Sequence, residues 1–112
     1  MLSKRKGTLR MALMSTCLAV ASAQAFEGDP ERGRVIADTC LGCHAIPSYS
    51  NVYPYYHVPK VGGQNEAYIV SALLAYRKGD RAHGTMHNNA LSLSDQDIAD
   101  IAAFSLLLAS DG

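Results

Sequence analysis

Five consecutive residues, Cys40-Leu41-Gly42-Cys43-His44, limit what this chain can become more than any other feature. Two thiols three positions apart, followed at once by an imidazole, can form a disulfide, a dithiol redox pair, half of a zinc site, or an anchor for a covalently bound prosthetic group. Each outcome needs a different setting. A dithiol redox site needs a βαβ context, and no convincing strand pattern is present. A structural zinc site needs two more ligands, and His83-Gly84-Thr85-Met86-His87 offers the H-x₃-H pair. However, 39 residues separate Cys43 from His83, against about 12–15 in zinc-finger spacing. The choice turns on where the chain is sent and on what its core lacks.

The amino terminus answers the first question. Lys4, Arg5, Lys6 and Arg10 are followed by an uncharged stretch, MALMSTCLAVA, and then by Ala23-Gln24-Ala25. A basic region, a short apolar region and a small-x-small site together read as a secretory signal peptide covering residues 1–25. The apolar stretch is too short for a permanent anchor. Cys17 lies within it and leaves with the signal. Cleavage after Ala25 gives a mature chain Phe26–Gly112 of 87 of the 112 residues, with six basic residues against ten acidic ones and a net charge near −4. The full chain balances ten of each sign and shows no basic footprint for nucleic acid. A mature chain of this size makes one domain, marginal without added help.

That domain reads as all-α. Asp29-Pro30-Glu31 is a helix start, with Asp29 as cap, Pro30 at the first helical position and Glu31 at the positive end of the dipole. The helix is expected to run to about Cys40 and to bury Val35, Ile36 and Thr39 or Cys40. Gly33 weakens it or admits another backbone. Residues 45–64 hold Pro47, Pro54, Pro59, Gly62 and Gly63, and are expected to form a loop packed on something apolar through Tyr49, Tyr53, Tyr55, Tyr56, Val58 and Val61. Asn65 caps a second helix with Ile69, Leu73 and Tyr76 on one face, ended by Arg77, Lys78 and Gly79. Residues 80–93 are expected to form a second long loop. Ser94 opens a third helix, with Ile98, Ile101, Ala102, Ser105 and Leu108 on one face.

Three helices with so few bulky side chains leave a core that is short of matter. Phe104 is the one phenylalanine beyond Phe26, and tryptophan is absent. An apolar prosthetic body would complete it. C-x-x-C-H is the attachment motif for c-type haem: Cys40 and Cys43 form thioethers with the vinyl groups, and His44 binds iron from below. Met86 is the only methionine of the mature chain and sits between two helices. From there its thioether can reach the opposite face, with His83 and His87 close by as alternative donors. His57 reads as a surface or loop histidine.

At this point the chain resembles the class I c-type cytochromes, and in particular the small soluble bacterial periplasmic ones. The resemblance rests on CLGCH at 40–44, VPKVGGQNEAYIVSALLAYRKGDR at 58–81 and TMHNNALSLSDQDIADIAAF at 85–104. It implies a small cytochrome c fold over residues 26–112, about three main helices with long loops wrapped around one covalent haem c. It implies His44 as proximal and Met86 as distal ligand of the haem iron, and a proline carbonyl holding the Nδ1 proton of His44. Pro54 is the candidate for that carbonyl, with Pro47 and Pro59 as alternatives.

The function this implies is electron transfer rather than enzymatic catalysis: one electron at a time between periplasmic redox partner proteins, with no nucleic acid and no membrane span after signal cleavage. The alternative is the haem subunit of a periplasmic oxidoreductase complex, for example a sulfide-oxidising flavocytochrome. A haem-based sensor or peroxidase would need an open iron site. The net charge near −4 points to a partner with a basic patch, although Arg77, Lys78 and Arg81 cluster against it.

Overall fold

The computed structural model describes residues 26–108. The expected signal peptide, with Cys17, lies outside the described residues. Helix α1 (Pro30–Ile36) begins as anticipated: the Asp29 carboxylate accepts from Glu31 N–H and Arg32 N–H, and Pro30 occupies the first turn. Ala37 then interrupts the helix, and α2 (Asp38–His44) carries the whole C-x-x-C-H motif. The helix therefore runs past Cys40, in two pieces. Gly33 and Ala37 form the buried face, while Val35 is 67% exposed, against expectation. The reason lies in a close approach. A Cβ on Gly33 would stand 1.9 Å from the carbonyl oxygen of Asp100, so only glycine lets the two backbones meet there.

The partner in that crossing is α5 (Asp95–Leu107), which opens with a capping box in which Ser94 and Asp97 each accept from the other's backbone. Asp100 is fully buried in the crossing. Its Oδ1 accepts from Asp29 N–H and from Gln96 Nε2, each at 2.8 Å. Arg32 donates to both Asp100 and Asp97. Burial alone would raise the Asp100 carboxyl above its usual range; the bonds from Asp29, Gln96 and Arg32 outweigh it and hold the carboxyl low. Asp97 is held low by the Ser94 backbone and by Arg32.

Helix α3 (Glu66–Lys78) starts at Asn65 and ends at Gly79 in the left-handed conformation, φ +85°. Ile69 is buried, and Leu73 packs on the cluster of Ala37, Ile101 and Phe104. The two expected loops are both more regular than their composition implied. Residues 45–64 contain a small antiparallel hairpin, β1 (Ser50–Val52) with β2 (Tyr55–His57), joined by Tyr53 and Pro54. Val58 N–H donates to Tyr49 O at 2.9 Å, closing its base. Residues 80–93 contain α4 (Gly84–Leu91), capped by His83. Among the described residues the protein is thus mainly helical, with the three main helices expected, the first of them in two pieces, the short α4 besides, and three paired residues in each strand.

Candidate functional site

The C-x-x-C-H segment lies on the last helical turns of α2, so its side chains project from a rigid support. Cys40 and Cys43 are both free thiols, Cys40 partly buried and Cys43 exposed. Burial pushes the Cys40 thiol up, partly offset by the Thr39 hydroxyl. His44 follows in the last turn, and its Nδ1 stands 2.6 Å from the carbonyl oxygen of Pro59. A carbonyl can only accept, so Nδ1 carries the proton and the Nε2 lone pair is left for a metal. Pro59, not Pro54, supplies this carbonyl. Pro54 sits at the exposed hairpin turn, where its carbonyl accepts from Asn51 Nδ2 instead. The sequence held a usable signal: Pro59 is the proline that opens P-K-V-G-G-Q.

A cavity of about 290 Å³ is lined by Cys40, Cys43, His44 and Met86 together. A second, of about 50 Å³, shares Cys40, His44 and Met86 and is walled by Ile69, Leu73, Ile101 and Phe104. One space therefore has an apolar depth and a polar mouth, where Asn51, Tyr56, Arg81 and Asn89 stand. A roomier groove of about 800 Å³ beside Phe26, Val70 and Leu74 holds no thiol, imidazole or thioether, so size does not mark the site.

The donor set tests what the cavity can hold. Two unpaired thiols, one imidazole with a free Nε2 and one thioether suit a flat apolar group anchored by sulfur and carrying a metal with two axial positions. They do not suit zinc. Among the described residues, no three His, Cys, Asp or Glu side chains are grouped to hold a metal ion. His87 turns instead to the Tyr76 carbonyl, at 2.7 Å.

Met86 lies on α4, in its first turn, rather than in an irregular loop. Glycine at 84 and asparagines at 88 and 89 disguise the helix, and its cap is a histidine rather than Ser, Thr, Asp or Asn. Tyr56, expected to pack on something apolar, does line the site; Thr85, Arg81 and Asn89 at the mouth were not anticipated there. These four come from the hairpin, from α4 and from the turn between α3 and α4.

Comparison with known proteins supplies the family. A family model for cytochrome c matches residues 30–106. Cytochrome c-554(548) of Halomonas halodenitrificans is 40% identical over 80 residues, covering 69% of this chain and 93% of that protein. Cytochrome c4 of Thiocapsa roseopersicina is 37% identical over 78 residues, covering 69% of this chain but 38% of that longer protein. The cytochrome subunit of sulfide dehydrogenase from Chlorobaculum tepidum is 27% identical over 73 residues, covering 65% of this chain and 63% of that protein. With its thiol pair, its oriented imidazole and this match from α1 to α5, the chain belongs to the cytochrome c family, a haem c protein that transfers electrons and is not an enzyme.

Proposed function

We propose that the chain is a periplasmic one-electron carrier in which Cys40 and Cys43 hold one haem c covalently, His44 is the proximal ligand and Met86 the distal ligand. The observation that carries this reading is the His44–Pro59 bond. It fixes the tautomer that leaves Nε2 available, in a cavity whose other walls bring up both thiols and the only thioether among the described residues. When bound, the haem supplies the reversible change in iron charge, and imidazole with thioether favours the reduced state.

Everything else is done by the chain. The carbonyl of Pro59 holds the His44 ring and raises its basicity. Leu73, Ile101 and Phe104 exclude water from the apolar depth. With His44 and Met86 both holding the iron, oxygen and peroxide would find no free ligand position, which would separate a carrier from a sensor or peroxidase. Cys43 is exposed, so one edge of the site stands at the surface, where a redox partner protein can approach. No helix among the described residues is long and apolar enough to cross a membrane. Export follows from the signal peptide proposed for residues 1–25. An intact mass equal to Phe26–Gly112 plus one haem is the expected outcome for the exported protein; the mass of the full chain without haem would refute both readings.

The distal ligand is tested separately. Met86→Ala should keep covalent haem and lose the sulfur-to-iron charge-transfer band. Its midpoint potential should fall by on the order of a tenth of a volt, a modest part of the ~0.8 V that axial ligands command. An unchanged spectrum and potential would return Met86 to the status of a packing residue. The sulfide dehydrogenase relative keeps a second reading open, a haem subunit of an oxidoreductase complex. A flavoprotein that stays with the chain through purification from its native host would favour that reading over a free carrier.

A further inference from the structure

Helix α4 is eight residues long, about two turns, and a helix of that length is marginal by itself. Something must hold the residue it presents to the haem. Two histidines flank Met86, and both are engaged. His83 Nδ1 accepts from the Met86 N–H at 3.3 Å, so the cap of α4 acts on the backbone of the ligand residue itself. The His83 ring packs edge-on with Tyr56 of β2, centroids 4.7 Å apart, and with Tyr76 of α3, 6.2 Å apart. Tyr56 Oη lies 3.3 Å from Thr85 Oγ1, tying the hairpin to the same turn. One turn further along, His87 Nδ1 donates to the Tyr76 carbonyl, which also accepts from Gly79 N–H.

These contacts assign tautomers. In the neutral ring, His83 keeps its proton on Nε2 because Nδ1 is the acceptor, and His87 keeps its proton on Nδ1. An imidazole that caps Met86 has its acceptor nitrogen occupied and its other nitrogen protonated, so it offers no lone pair to iron. We propose that His83 and His87 are positioning residues for the axial sulfur: His83 fixes the Met86 backbone by capping it, and His87 pins α4 to the end of α3. This rests on Met86 being the distal ligand.

The experiment uses the exported, haem-loaded chain and reads displacement of the sulfur from oxidised iron by added imidazole, followed through the charge-transfer band. His83→Ala should bind imidazole about fivefold more tightly, the equilibrium equivalent of one lost N-cap. His83→Asn and His83→Ser keep an acceptor for the Met86 N–H and should recover most of the difference. His87→Phe keeps the ring and loses the donor, and should also favour imidazole. Equal imidazole affinity in His83→Ala, His83→Asn and wild type overturns the proposal, as does an Asn variant that behaves like Ala. Should His83→Ala accumulate poorly, the Asn and Ser variants are compared with His83→Leu, which fills space without accepting. Met86→Ala separates the two levels. If it leaves the band intact, the ligand reading has failed; if it abolishes the band while the histidine variants match wild type, only the positioning role has failed.

Discussion

Where α1 crosses α5, protein atoms meet protein atoms. Gly33 lets the two backbones touch, a Cβ on Gly28 would stand 2.3 Å from the Ala99 carbonyl oxygen, and a buried carboxylate finds three partners. Across the molecule, α2, the hairpin and α4 stand around a cavity. The hairpin and the start of α4 meet through ring edges and single hydrogen bonds; Val52, Tyr53 and Tyr55 are each at least 79% exposed, while Tyr56 lines the cavity. One half of the chain closes on its own atoms, and the other lines a cavity. An apolar group buried in that cavity contributes its own buried area to the folded state. The self-sufficient corner sets the geometry; the open half depends on its cofactor.

The largest break in that comparison removes the cofactor. Cys40→Ala with Cys43→Ala should abolish the cooperative thermal transition followed by far-ultraviolet circular dichroism. A haem-free double variant that still melts cooperatively would show that the corner alone carries the fold. Next in size is Gly33→Ala. It gains helix propensity, but its Cβ collides with a backbone carbonyl that cannot move aside, so the crossing must open, at a cost of about 2–4 kcal/mol in denaturant unfolding. The visible spectrum of the folded fraction should be unchanged, because the damage lies in the other half.

Acid sharpens the same contrast. Asp97 and Asp100 have folded-state values depressed below the ordinary carboxylate value of about 3.9. Depressed acids contribute stability that is fully present above about pH 5 and lost as pH falls through their folded values. Wild type should therefore lose stability below about pH 4. Asp100→Asn should be less stable at neutral pH by about 1–2 kcal/mol and show a shallower acid slope. A slope identical to wild type would place the acid sensitivity elsewhere. The smallest effect belongs to the hairpin tip: Tyr53→Ser, at a side chain 95% exposed, should change stability by less than about 0.5 kcal/mol and leave the charge-transfer band alone.

What could be read from the sequence was what is local. Asp29, Asn65, Ser94 and Gly79 cap the helices they were expected to cap, because each acts within four residues of itself. Gly33 was legible as a close approach, but not the face it implied: with Gly33 and Ala37 inward, Val35 had to turn out. The break at Ala37 left no local mark. Helix α4 escaped because a histidine caps it and the hairpin because its strands are too short to show alternation. Pro59 and not Pro54 reaches His44 because the hairpin folds the intervening chain away, and the P-K-V-G-G-Q run that Pro59 opens was the one sequence mark of it.

The closed base of the hairpin has a consequence for how such a protein can diverge. Tyr49 and Val58 are joined by a backbone bond, Val58 is buried, and Pro59 begins beyond that joint. Residues 50–57 therefore form an excursion whose length and tip do not set the position of the imidazole's carbonyl partner. Loop closure grows only slowly with loop length, so insertions there cost little. Lineages, or protein engineers, can exchange this segment like a cassette, reshaping the surface next to the haem edge while the redox centre keeps its setting.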